Sequence, residues 1–224
     1  KEDRQECNDG NEGSSQERHG CLTSDGGHRL HARLSGFQIH QDTVDNHDMG
    51  YIFEELIRKF SESYDEQAGA HFTSRDIIYL MTELLVAPEK AEIMAEGCTK
   101  TAYDMAMGTS QMLGCLTERL KEISADAELT CFGQEFNPET YAIAKADMLI
   151  KGGNASGMKY GDTLSEDAFT GYHFDYIISN PPFGIDWKRE KTQVEAEAKK
   201  GFDGRFGTGL PAISDGQMLF MLNG

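Results

Sequence analysis

An α/β fold with a doubly wound, mostly parallel sheet, preceded by N-terminal helices, is what this sequence predicts. Between residues 101 and 180, short β-type apolar segments take turns with segments of helical period, and such alternation implies βαβ units. Ahead of them, two amphipathic stretches of helical period lie within 44–86. At 224 residues and 38% apolar content, the chain is long enough for one sizeable core and an accessory region.

Residues 1–36 are rich in Gly, Ser, Asp, Glu and His without a sustained period, and are expected to be poorly ordered. From Val44 the texture changes. Met49, Ile52, Phe53, Leu56, Ile57 and Phe60 recur at helical spacing behind the capping candidates Asp45 and Asn46. After a turn at Gly69, the residues Ile77, Ile78, Met81, Leu84 and Leu85 mark a second helix capped by Thr73 or Ser74. TAYD (101–104) then reads as strand, SQMLGCLTERLKEI (110–123) as helix and LTCFGQE (129–135) as strand. PETYAIAKADMLI (138–150) follows as helix, MKYGD (158–162) as a short strand and FDYIISN (174–180) as strand. The expected division is an N-terminal region over 1–68 and an α/β domain over 69–224.

Composition excludes several classes. No apolar stretch approaches the length of a bilayer span, and the polar start KEDRQECNDG lacks a signal-peptide core, so a soluble, cytoplasmic protein is expected. Cys7, Cys21, Cys98, Cys115 and Cys131 are odd in number and scattered, signalling neither a disulfide framework nor a zinc site. A net charge of −17 argues against this chain alone holding nucleic acid, because non-specific affinity comes from Lys and Arg neutralising phosphates.

Ligands of doubly wound sheets sit beyond the carboxyl ends of the strands. There the first strand ends in Asp104, and Gly108 and Thr109 lead into a helix whose free N–H groups suit a polar ligand. The second strand ends in Glu135, and a carboxylate can accept from both hydroxyls of a ribose. Asp162 ends the third and Asn180 the fourth. These loop ends outline a pocket for a nucleoside-type cofactor.

The fourth strand runs into Asn180, Pro181, Pro182 and Phe183. Two prolines fix φ, remove two N–H donors and hold Asn180 and Phe183 in one mutual pose. A purely structural turn needs neither the Asn nor the aromatic. The set suits methylation of an exocyclic amine, whose lone pair is delocalised into its ring: the Asn180 oxygen and the Pro181 carbonyl accept its two N–H bonds while Phe183 stacks on the ring. Catalysis is then mainly positioning. An adenine of duplex DNA has to be flipped out to reach such a pocket.

With these residues in view, NPPF (180–183) resembles the catalytic motif of S-adenosylmethionine-dependent amino-group methyltransferases. GAHFTSRD (69–76) is similar to their GxxFTPR-like string, and YDMAMGTSQML (103–113) stands where a first loop of the DPACGTGG type is found. Together with MGYIFEELIRKF (49–60) and FGQEFNPETYAIAKADMLI (132–150), residues 37–224 resemble the modification (M) subunit of type I restriction-modification systems. The resemblance implies a Rossmann-like methyltransferase core, S-adenosylmethionine as cofactor and adenine N6 methylation of DNA. It also implies a complex with a specificity (S) subunit and often a restriction (R) subunit. It carries cofactor contacts to Ala70, His71, Phe72, Thr73, Ser74 and Arg75, to Asp104, to Gly108, Thr109, Ser110 and Gln111, to Glu135 and to Asp162. Asn180, Pro181, Pro182 and Phe183 take the catalytic role.

Some positions depart from that pattern. Met105 and Met107 replace Pro and Cys, Ser110 and Gln111 replace two glycines, and Ser74 replaces Pro. Side chains there either narrow the pocket or point away from it. The segment 184–210 mixes six Lys and Arg residues with five glycines, and reads as a mobile solvated loop or as a flap meeting DNA phosphate. The sheet is expected to need further strands after residue 224. Two other readings stay open: a methyltransferase acting on protein glutamine or on RNA, and a non-catalytic scaffold that keeps the fold.

Overall fold

The computed structural model describes residues 73–224, together with helical positions at Ile52, Glu55 and Leu56. Those three belong to the first expected helix; its other positions, residues 1–36 and the Gly69 turn lie outside the described residues.

Helix α1 (Arg75–Val86) and the short α2 (Lys90–Ile93) precede the sheet. Ser74 is the N-cap of α1, contributing its carbonyl to the first turn but no side-chain bond. The helix buries Ile78, Thr82 and Val86, whereas Ile77 and Leu84 of the expected apolar stripe are 54% and 67% exposed. The buried stripe follows the neighbour, α3 (Gln111–Ile123), and a pattern of apolar residues alone does not say where that neighbour lies.

The sheet consists of β1 (Thr99–Asp104), β2 (Glu128–Glu135), β3 (Met158–Tyr160) and β4 (Tyr176–Ile177), all parallel, in the order β3-β2-β1-β4. Period-two alternation divides its side chains. Ala102 stands in register with Cys131 and Tyr176, and these join Met158 and Ile178 in a core roofed by α1, α3 and α4 (Pro138–Ile150). The next register pair, Tyr103 and Phe132, faces the other way, into a second core with Phe169, Trp187, Val194, Phe206, Leu219 and Phe220. Both faces are covered, as a doubly wound sheet requires.

Local signals explain the element ends. Asn137 caps α4 by accepting from the N–H groups of Glu139 and Thr140, and Pro138 brings a preset φ to its first turn. The expected strand over 174–180 pairs regularly only at Tyr176–Ile177. Before it, the Asp175 carboxylate accepts from the Thr101 N–H and hydroxyl, both at 2.8 Å, in place of ladder bonds; after it, the Pro-Pro turn has no N–H to donate.

Residues 184–210 are not the solvated loop that their charges and glycines suggest. They include α5 (Lys191–Ala198) and bury Trp187, Val194 and Phe206 against the second face, with α6 (Gln217–Asn223) alongside. Each such side chain adds roughly 1.5–3 kcal/mol of burial, enough to hold an otherwise polar segment down. Among the described residues, no helix is long and apolar enough to cross a membrane.

From β1 the chain steps outward through β2 to β3, then crosses the second face and returns as β4 on the opposite side of β1. This reversal opens a crevice between the carboxyl ends of β1 and β4.

Candidate active site

A cleft of about 530 Å³ occupies that crevice. Asp104, Gly108, Thr109 and Gln111 after β1, Glu135 after β2, Asp162 after β3 and Asn180–Phe183 after β4 all line it, and Thr73 enters from the start of α1. Residues from five separate segments, expected from sequence to act together, thus meet in one cavity. Ser74, Arg75 and Ser110 do not line it, and Ala70, His71 and Phe72 lie outside the described residues.

The loop after β1 is held from two sides. Glu135 accepts from the Gly108 N–H through Oε2 (2.9 Å) and from the Asn137 N–H through Oε1 (2.7 Å), so one carboxylate fixes both the first loop and the entry to α4. Burial raises its pKa, and the backbone N–H bonds oppose that rise. Gly108 takes φ +53, and a Cβ built there meets no atom within 4 Å, so the space over this loop is open to a ligand. Met107 packs its sulfur where a Cβ on Gly133 would stand, and Met105 is buried in the second core. Both methionines also line the cleft, as floor rather than obstruction.

Ser110 holds a glycine-like backbone, φ +63, with a buried hydroxyl that finds no hydrogen-bond partner among the described residues. A left-handed conformation costs a non-glycine residue about 1 kcal/mol, and an unpaired buried hydroxyl adds to this. Ser110→Gly is therefore expected to stabilise the fold by about 1 kcal/mol, read as a higher urea midpoint at unchanged m-value. A lower midpoint would show that the hydroxyl contributes where no partner is seen.

Asp104 is almost fully buried and accepts from the Ser179 hydroxyl (2.7 Å) and the Ala106 N–H (3.1 Å). Burial, only partly offset by these bonds, pushes its pKa up to about 7, with the Glu135 charge adding to the rise. Between about pH 4 and about pH 7 the folded protein keeps a proton here that the unfolded chain has released, so this residue disfavours folding increasingly as pH rises through that window. Asp104→Asn keeps an acceptor for Ser179 and Ala106 without the charge. It is expected to match wild type near pH 4 and to exceed it by on the order of 4 kcal/mol near pH 8, measured by urea unfolding. An advantage independent of pH would contradict the assignment.

The acceptor turn is oriented across the molecule. Asn180 Nδ2 donates to Thr73 Oγ1 at 3.0 Å, joining two motifs that are 107 residues apart. With its nitrogen so engaged, the amide offers its oxygen as the remaining acceptor. Phe183 lines the cleft and is 58% exposed. Asp162 also lines the cleft, but its oxygens accept from the Leu164 N–H and the Ser165 hydroxyl, closing its own loop.

Several participants were not anticipated. Gln134, fully buried, donates to Glu166 O (2.7 Å) and accepts from the Ala168 N–H (3.1 Å), pinning the crossing segment to β2. Thr163 donates to Met105 O (2.6 Å), and Ser179 ties the acceptor turn to β1. Phe136 and Arg189 face the cleft together, the guanidinium 5.9 Å from the ring centroid. A polar residue just before a strand end was the available signal for Gln134 and Ser179.

The model of the family described as N-6 DNA Methylase matches residues 44–223. The chain belongs to the N-6 DNA methylase family. The methylase subunit of the type I restriction enzyme HindI of Haemophilus influenzae is 25% identical over 189 residues, covering 70% of this chain and 40% of that protein. The MjaIX methylase subunit of Methanocaldococcus jannaschii is 25% identical over 148 residues, covering 65% of this chain and 25% of that protein. This N-6 DNA methylase chain thus spans less than half the length of these curated relatives.

Among solved structures, the methyltransferase subunit of a type I restriction-modification system from Streptococcus thermophilus superposes with a TM-score of 0.53 at 27% identity, over 69% of this chain and 31% of that one. A Listeria monocytogenes protein described as a class I S-adenosylmethionine-dependent methyltransferase gives 0.59 at 17% identity, over 87% and 54%, a likeness of fold. The Rossmann-like methyltransferase core expected from sequence is borne out.

Proposed function

We propose that this chain is the catalytic part, residues 69–224, of the modification subunit of a type I restriction-modification system, methylating adenine N6 in DNA with S-adenosylmethionine as donor. Carrying this is one observation: Asn180, its nitrogen committed to Thr73, lines the same cleft as Phe183, Gly108 and Glu135.

The residues present fit the proposed donor. Among the described residues, the cleft is lined by four carboxylates besides the buried Asp104 and by one cation, a field that favours a positively charged ligand, and the space over Gly108 is open. Glu135 keeps lone pairs beyond those used by the Gly108 and Asn137 N–H groups and would hold the ribose hydroxyls, while Phe136 offers an exposed ring beside it. Thr73, Thr109 and Gln111 supply hydroxyl and amide groups at the other side of the first loop. When bound, S-adenosylmethionine supplies an electrophilic methyl group on a sulfonium.

The chain's own part is to prepare the acceptor. The Asn180 oxygen and the Pro181 carbonyl accept the two N–H bonds of the adenine amine and localise its lone pair. Phe183 stacks on the base and holds the amine in line, and the Pro-Pro turn keeps both groups from yielding. No strong base is required of the protein.

The acidic charge of the chain fits a division of labour in which most phosphate contacts and sequence readout belong to a specificity subunit, with a restriction subunit completing the system. Such an assembly acts on cytoplasmic DNA. The test is the destination of label when the intact enzyme is incubated with methyl-tritiated S-adenosylmethionine, DNA, RNA and protein together. Counts are expected in DNA; counts in protein or RNA would replace this substrate with one of the alternatives, and no transfer would favour a scaffold.

A further inference from the structure

We propose that Arg189 is the phosphate contact that seats the target nucleotide against the acceptor turn, an inference that rests on the DNA-methylase reading above. Among the described residues lining the cleft it is the single cation, set against the carboxylates of Glu135, Asp162, Asp186 and Glu190, beside the buried Asp104, whose burial favours its neutral form. A nucleic-acid backbone cannot approach four carboxylates without a countercharge, because phosphate affinity comes from neutralisation by Lys and Arg. The neighbouring Lys188 is already engaged by Asp186 at 2.9 Å. Arg189 forms no ion pair among the described residues and is exposed.

Its position suits the task. Arg189 follows Phe183 by six residues, on the β4 side of the crevice, yet its guanidinium lies 5.9 Å from the ring centroid of Phe136, on the β2 side. Because β1 stands between β2 and β4, the side chain spans the mouth through which a flipped nucleotide has to pass. An exposed cation–π contact is weak, about 0.5–1 kcal/mol, so the guanidinium is readily exchanged onto a phosphate, for which its planar fork is shaped. A donor carboxylate offers similar anionic oxygens. Exposure and the place of Arg189 on the segment leaving the acceptor turn favour the phosphate.

The experiment compares wild type, Arg189→Ala and Arg189→Lys in the intact methylase. It measures the KM for a DNA duplex as a function of salt, and S-adenosylmethionine affinity by calorimetry. Arg189→Ala is expected to raise the KM for DNA by about tenfold and to lower the slope of its logarithm against log salt by about 0.9, with donor affinity unchanged. Arg189→Lys is expected to restore the slope and only part of the affinity. An unchanged KM and slope in Arg189→Ala, beside normal wild-type methylation, would overturn this inference alone. Lost donor affinity with a normal salt slope would also overturn it, by moving the guanidinium to the donor's carboxylate. Absence of DNA methylation by wild type would overturn the parent reading, and this inference with it.

Discussion

Asn180→Ala is expected to lower methyl transfer by about 10²–10³-fold, the range associated with removing one fixed hydrogen-bonding group at the reacting centre. The lost oxygen is the one left facing substrate chemistry when the amide nitrogen donates to Thr73, and alanine provides no replacement. Asn180 is only half-buried and lies outside both apolar cores, so folding stability is expected to change by well under 1 kcal/mol. Donor affinity, set by the loops after β1 and β2, is expected to stay the same. Calorimetry with S-adenosylmethionine beside a rate measurement separates the two effects. Loss of donor binding in Asn180→Ala would mean that the residue belongs to the cofactor side of the cleft.

Glu135→Gln is expected to weaken S-adenosylmethionine binding by at least about tenfold, and also to destabilise the fold by about 1–3 kcal/mol. The carboxylate accepts two backbone N–H bonds, from Gly108 and Asn137, through different oxygens. Glutamine has the same shape but only one accepting oxygen, and its NH₂ group faces an N–H donor wherever the other oxygen used to be. One backbone donor is left unpaired in a largely buried setting, and the first loop loses its tether just where the ribose is proposed to sit. Urea unfolding and calorimetric titration read the two consequences. A variant with wild-type stability and affinity would remove Glu135 from the account.

What could be read from the sequence, and what could not, follows from the range of the forces involved. Helix α4 was legible to the residue, since its start is written locally in Asn137 and Pro138. The gathering of Asp104, Glu135, Asp162 and Asn180 was legible too, because a parallel sheet brings every carboxyl end to one edge. The buried role of Trp187, Val194 and Phe206 was hidden, as single apolar residues among charges and glycines show no period. Exposure of Ile77 and Leu84 depends on which neighbour the helix meets, which no local pattern states.

Within the site, the chemistry-bearing residue types announced themselves, but the bonds that position them did not. Gln134 reaches Glu166 O across 32 residues, Thr163 reaches Met105 O across 58, and Ser179 reaches Asp104 across 75. Each is a side chain meeting a partner chosen by topology, so only the folded chain identifies it. The Thr73 bond to Asn180 belongs to the same class: both motifs stood out in the sequence, while their direct contact, which orients the amide, did not.

The measurement that bears most directly on the central claim is mass spectrometry of nucleosides from DNA treated with the intact enzyme and S-adenosylmethionine. N6-methyladenine as the sole new modified base, absent from the Asn180→Ala reaction, is the predicted result. Methylated cytosine, or N6-methyladenine formed equally well without the Asn180 amide, would contradict it.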